Sequence, residues 1–160
     1  MTAKEYLELA YKVDKAVQRR KEVAKKHRDS LYGRSIDYSE GNGVHNSNDA
    51  LGEAIANVCS YEEETDTIIA FLVDTRFEIE RTIGLLSNKM QKEVLTDRYL
   101  LYMPWKSKYD KDTGELIAKG IKEKTGYSSQ AIFKFHSEGL KKISIPEKIR
   151  VNYSEIEKFL

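Results

Sequence analysis

The chain has little of what marks a secreted, membrane-bound or catalytic protein. Its one cysteine, Cys59, has no partner for an internal disulfide, which fits a reducing cytoplasm. No apolar run approaches the roughly 20 residues that a membrane span needs. The first residues, Met1-Thr2-Ala3-Lys4-Glu5-Tyr6, lack the basic stretch and apolar core of a signal peptide. A cytoplasmic protein with no membrane partner is the expectation. Net charge is nearly absent as well: 27 Lys and Arg against 26 Asp and Glu leave +1 over 160 residues. Taken whole, that disfavours both a strongly basic nucleic-acid binder and an acidic disordered tail. Enzymatic constellations are missing. His27, His45 and His136 fall in three different segments, and there is no Cys cluster, no HExxH and no phosphate-binding glycine loop. Glu62-Glu63-Glu64 and Asp66 form an acidic patch, but adjacent residues on a helix do not share a face, so the plain reading is a solvated surface. No enzyme, cofactor or metal is expected.

What is present is charge arranged in blocks. Charged residues make up 33% and hydrophobic ones 40%, which suits long helices with a thin apolar stripe. Residues 1–30 hold nine basic and five acidic residues, net +4; residues 31–86 hold three and eleven, net −8; residues 87–145 hold twelve and seven, net +5. Residues 146–160 are balanced. The length permits one ordinary domain or two small ones.

The first block reads as a helix. Thr2 and Glu5 have capping-box spacing, and Tyr6, Ala10, Val13 and Val17 recur on one face. Its second half, with Arg19, Arg20, Lys21, Lys25, Lys26 and Arg28, reads as a solvated face or as a contact for phosphate or a partner. Turn formers without periodicity then predict a flexible loop over 31–49. A long helix capped by Asn48 or Asp49 follows. Its seam, Leu51, Ile55, Val58, Glu62, Thr65, Ile69, Leu72, Arg76, Ile79, Ile83 and Leu86, alternates at four and three residues as in a coiled coil. Glu62 and Arg76 interrupt it, so its partner must tolerate polar groups there. The first helix is the nearest partner, giving an antiparallel helical hairpin over 1–86. The second helix is the longer one, so a homodimer through 51–86 is also expected to use the excess seam.

Residues 87–145 read as a further unit. Asn88 caps a helix predicted to run through Tyr102 and to stop at Pro104, with Val94, Leu95, Arg98, Tyr99 and Leu101 along it. The stretch 105–118, with a polar turn at Asp110-Lys111-Asp112-Thr113-Gly114, reads as a β-hairpin or as a loop entering a helix at Glu115. The turn superficially resembles a calcium loop, but the spacing to a bidentate Glu is absent. Next comes a short helix, Gly126 suited to the left-handed conformation, and Ser128 capping a new helix: helix-turn-helix grammar. The second helix is predicted to bury Ile132, Phe135, Leu140 and Ile143 and to turn Ser129, Gln130, Phe133, Lys134, Ser137 and Lys141 outward. Such a helix enters a major groove by its first turn. Gln130 suits adenine, Ser128 and Ser129 suit a phosphate or base, and Phe133 suits a thymine methyl. Lys134 and Lys141, with Lys119, Lys122, Lys124 and Lys142 nearby, supply attraction for phosphates. Three-helix units also occur as plain packing modules, which is the competing reading. After Pro146, the tail to Leu160 carries Val151, Tyr153, Ile156, Phe159 and Leu160 and is expected to dock.

Residues 87–145 resemble region 4 of sigma-70-type transcription factors. The likeness rests on Gln91-Lys92-Glu93-Val94-Leu95-Thr96-Asp97-Arg98-Tyr99-Leu100, on Trp105, on the turn 121–128, and on the helix from Ala131-Ile132 to Leu140-Lys141-Lys142-Ile143. With the opening Met1-Thr2-Ala3-Lys4-Glu5-Tyr6-Leu7 and a helical hairpin, the whole chain is similar to small ArpU-like late regulators of Gram-positive phages. The resemblance implies a mainly α protein that binds double-stranded DNA in the host bacterial cell and contacts host RNA polymerase. It departs from the pattern at Gly139, where a small Ala is usual, at 130–134, where charged residues are common, and in an insertion over 106–115. An interior glycine weakens a helix by about 1 kcal/mol. No sigma region 2 is present, so promoter melting is not expected of this chain. Two other readings stand: a packaging protein like phage terminase small subunits, which join a helix-turn-helix to oligomerising helices, or a polymerase-binding protein without a DNA role.

Overall fold

A computed structural model of the chain describes residues 1–32 and 47–160, with the backbone alone for 47–51. The described residues are mainly helical: six α-helices, one π-helical turn and one two-stranded sheet. Helix α1 spans Ala3–Tyr32. Its start is a reciprocal cap, with the Glu5 N–H donating to Thr2 Oγ1 at 3.2 Å and the Thr2 N–H donating to Glu5 Oε2 at 2.7 Å. The buried stripe is wider than Tyr6, Ala10, Val13 and Val17, because Leu7, Leu9 and Ala16 are buried too. Positions 6, 7, 9 and 10 point in several directions, so the first turns of α1 are covered from several sides.

Helix α2 spans Ser47–Gly84, beginning ahead of the expected cap at Asn48 or Asp49. Of the loop expected over 31–49, residues 31–32 and 47–49 are helical, and 33–46 lie outside the described residues. The two helices run antiparallel: Tyr6 bonds Thr82, Asp14 pairs with Arg76, and Arg28 pairs with Glu62. The seam of α2 is buried at Thr65, Leu72, Ile79, Ile83 and Leu86, joined by Ile68, Thr75 and Thr82. Its two polar interruptions are ion pairs with α1, at 2.7 Å for Glu62 and 3.4 Å for Arg76. Toward the start of α2 the seam is open, with Ile55 45% exposed.

Helix α3 spans Lys89–Leu95, capped by Asn88, whose Oδ1 accepts from the N–H groups of Met90 and Gln91. The helix predicted through Tyr102 does not stay regular. Residues Thr96–Leu100 wind as a π-turn, and Tyr102 takes φ of 56° before Pro104 is reached. Val94, Leu95 and Tyr99 are buried as the pattern required, whereas Leu101 is exposed. Strand β1 (Lys108–Tyr109) pairs antiparallel with β2 (Leu116–Ala118), so the hairpin reading holds over a helix from Glu115. Its turn is tied by Asp110 Oδ1, which accepts from the N–H groups of Asp112 and Thr113 at 2.9 Å each. Helix α4 spans Ile121–Thr125, α5 spans Ser129–Lys142 and α6 spans Glu147–Phe159. Gly126 ends α4 at φ of 73°, a left-handed conformation that costs glycine nothing. Ser128 Oγ accepts from the Ala131 N–H at 3.2 Å and starts α5.

The largest apolar core is continuous across residue 86. Tyr6, Leu7, Leu9 and Ala10 of α1 meet Ile79 and Ile83 of α2, Leu95 of α3, Tyr99 and Leu100 of the π-turn, and Ile149 and Ile156 of α6. Leu140 and Ile143 pack against the same core at the end of α5. The tail docks as expected, through Ile156, Phe159 and Leu160, while Val151 stays exposed. The Arg20 guanidinium lies 5.5 Å from the Phe159 ring centroid. A smaller cluster of Val94, Ile121 and Ile132, with Met103, Trp105 and Phe135, joins α3, α4 and α5.

Two glycines mark close approach. A Cβ on Gly120 would lie 2.4 Å from backbone atoms of Lys106 and Ser107, which cannot move aside. A Cβ on Gly139 would meet side-chain atoms alone, the Leu95 Cδ1 tip at 3.0 Å and Leu95 Cγ and Gln91 Cβ at 3.4 Å. Gly120→Ala is therefore expected to lower stability by about 2–3 kcal/mol, the usual cost of overpacking. Gly139→Ala regains about 1 kcal/mol of helix propensity against a yielding neighbour and should be near neutral. Urea denaturation of the two variants checks the contrast.

Candidate nucleic-acid interface

Helix α5 is asymmetric. Ile132 and Gly139 are buried on one side, with Phe135, His136 and Leu140 half-buried beside them. Gln130, Phe133, Lys134, Ser137 and Lys141 are exposed and recur at three- and four-residue spacing on the other. Ser129 is half-buried at the first turn, and Ser128 is exposed with its oxygen engaged as the cap. Lys122 is exposed on α4. Lys122, Lys134 and Lys141 form no ion pair among the described residues.

Lys124 is placed differently. Its Nζ lies 2.6 Å from Asp97 Oδ1, and the Asp97 side chain is only 1% exposed. The second carboxylate oxygen of Asp97 is buried without a hydrogen-bond partner. Lys124 therefore neutralises a carboxylate that the π-turn carries into the interior. Its charge holds α4 against that turn, so Lys124 differs from the other lysines of the expected contact set in already having an acidic partner. The pairing joins positions 27 residues apart, so nothing in the local pattern announces it.

Phe133 is 50% exposed, and its covered part rests on Trp105 with ring centroids 5.1 Å apart. Trp105 also receives the Arg98 guanidinium at 4.9 Å from its centroid and the His136 ring edge-on at 5.0 Å. His136 Nε2 lies 3.0 Å from the Tyr99 hydroxyl, and the two rings stack. Burial, then the charges of Arg98 and Lys4, hold the His136 pKa below its ordinary value. Trp105, Lys106, Lys122, Ser129, Ile132 and Phe133 line a groove of about 180 Å³ beside the first turn of α5. The residue pattern marked Trp105 only through the resemblance and did not single out Lys106. Its one signal was a lone tryptophan directly after a proline.

A second cleft, of about 370 Å³, is lined by Leu7, Glu8, Tyr11 and Lys12 of α1 with Arg98, Tyr99 and Tyr102. The hydroxyl of Tyr102, one of its lining residues, donates to Asp14, which also pairs with Arg76. Burial first and the Asp14 carboxylate second push the Tyr102 pKa far above its ordinary value. Among the described residues no group of three or more His, Cys, Asp or Glu is placed to hold a metal, and no helix is long and apolar enough to cross a membrane. No protein-family model, curated protein or solved structure matches the chain.

Two outcomes follow from these placements. Lys124→Ala leaves a buried carboxylate unpaired and should lower stability by about 2–4 kcal/mol, the lower end reflecting the partly exposed ammonium. Lys122→Ala should change it by less than about 0.5 kcal/mol. Chemical denaturation of both separates a structural lysine from a surface one. For His136, the folded pKa lies below the unfolded one, so the unfolded state takes up the proton first as pH falls. Stability should thus be full above about pH 6.5 and decline below it, and His136→Gln should flatten that decline. Urea midpoints at pH 7.5 and 5.5 give the comparison.

Proposed function

We propose that the protein is a phage or prophage transcription regulator that reads double-stranded DNA with α5. In this reading α4, the Gly126 turn and α5 form a helix-turn-helix of the sigma-region-4 kind, and α5 lies in the major groove. The observation that carries the proposal is the exposed strip of Gln130, Phe133, Lys134, Ser137 and Lys141, opposite a face anchored by Ile132 and Gly139. A packing module has no need of an amide, an aromatic ring and two lysines aligned on its open side. The basic balance of 87–145, twelve basic residues against seven acidic, supports the same reading.

Roles divide by chemistry. Gln130 pairs bidentately with an adenine edge. Lys134, Lys141 and Lys122 neutralise phosphates and set affinity, while the Ser128 and Ser129 hydroxyls and Ser137 donate to phosphate or sugar oxygens. Contact with host RNA polymerase, and pairing of two copies through the uncovered start of α2 near Ile55, complete the proposed regulator.

Selection of bound duplexes from a random pool at fixed salt tests this. A consensus with one adenine lost in Gln130→Ala is the expected result, at about 1–3 kcal/mol for that base pair. Lys134→Ala should weaken all duplexes alike and lower the salt slope by about 1. Equal retardation of the wild type and Lys134→Ala on every duplex would overturn the assignment.

A further inference from the structure

We infer that Phe133 is a thymine reader, held in position by Trp105, and that Lys106 and Lys122 anchor the phosphate beside the thymine it reads. The inference rests on the proposed DNA-binding role of α5 and names the base and the residues that select it.

The open strip of α5 carries an anomaly. Gln130, Lys134 and Ser137 are polar, yet Phe133 sits among them half-exposed. An apolar ring held at a wet surface gains nothing there until something apolar meets it. In the major groove the apolar feature of a base edge is the thymine C5-methyl, which cytosine and the purines lack.

The ring is also fixed. Its covered side meets Trp105 at 5.1 Å between centroids. Trp105 is in turn held by Arg98 at 4.9 Å and by His136 at 5.0 Å. His136 is tied to Tyr99, which belongs to the main core. A stack therefore runs from the buried core to the surface and ends on Phe133. A side chain braced in this way loses little freedom on binding, so one methyl contact is not offset by ordering.

Charge flanks the ring on the groove side. Lys106 and Lys122 line the same 180 Å³ groove with Ser129, and neither lysine has an ion pair among the described residues. The carboxylate of Glu123 on α4 is engaged by the Ser107 N–H at 3.1 Å. Two ammonium groups and a hydroxyl next to an aromatic ring match a nucleotide's phosphate next to its base. Trp105 acts through Phe133 and is a positioning residue.

The test uses the full-length protein and the duplex recovered by selection. Each thymine is replaced in turn by uracil, which removes only the methyl. One position should lose about three- to fourfold in affinity, the worth of one buried methyl-sized group. Phe133→Ala should bring the thymine and uracil duplexes to equal affinity, and Phe133→Leu should retain part of the preference. Trp105→Phe should narrow the thymine-to-uracil ratio, whereas a residue with only a structural role weakens both duplexes by the same factor. Lys106→Ala and Lys122→Ala should each lower the salt slope by about 1 with the ratio unchanged. A consensus with equal binding of thymine and uracil at every position overturns this inference and leaves the DNA-binding proposal standing. An unchanged ratio in Phe133→Ala does the same. Failure to retain any duplex overturns both.

Discussion

The structure depends on the first three turns of α1 being buried on several sides. Tyr6, Leu7, Leu9, Ala10 and Val13 are all inaccessible to solvent. A helix in a simple two-helix pair buries one stripe, and here α2, the π-turn, α5 and α6 all approach the same short length of chain. Each fully buried large side chain contributes about 1.5–3 kcal/mol, so this short pillar is a substantial part of the apolar stabilisation. The Tyr6 hydroxyl is satisfied inside it by Thr82 at 3.0 Å, which avoids the cost of burying an unpaired phenol. The unit bearing α5 is therefore seated on the helix pair through shared packing, and the tail helix adds Ile149 and Ile156 to the same core.

Charge carries a second layer of organisation. Near-neutrality of the whole chain arises from blocks of opposite sign, and part of that charge is paired inside the fold. Glu62 of the acidic helix meets Arg28 of the basic one, and Arg76 meets Asp14 with the signs reversed. These pairs sit where the α2 seam is interrupted, so they fix which residue faces which without excluding an antiparallel partner. Lys124 is drawn inward by Asp97 in the same manner. What remains free on the α5 side is a smaller cationic set than a count of lysines implies.

Features decided within one turn of chain were legible in the sequence. The Thr2–Glu5 box, the Asn88 cap, the left-handed Gly126 and the Ser128 cap are each a short-range exchange between a side chain and a nearby backbone group. The β-hairpin belongs here too, because Asp110 ties its own turn. Features set by distant packing were not legible. The extra width of the α1 face needs four neighbours that the local pattern does not contain. The engagement of Lys124 and the contact between Trp105 and Phe133 join residues separated by 27 and 28 positions. At Gly139 the poor helix propensity is legible, but the closeness of α5 to Leu95 and Gln91 of α3 at that point is not. The irregular winding at Thr96–Leu100 has no signature in residue type, since apolar spacing there fits an α-helix almost as well.

That winding has a geometric consequence. A π-turn holds one residue more than the α-helical turn it replaces, so it acts as an insertion absorbed without a loop. In an α-helix one residue corresponds to about 100° of rotation and 1.5 Å of rise. Wound regularly, the same stretch would swing everything after it by that angle. Tyr102, the second residue past the turn, would lose Asp14 of α1. The extra residue is thus a phase shifter: it sets the compass bearing at which the chain leaves α3 toward Tyr102, and the bearing is encoded in chain length at one turn.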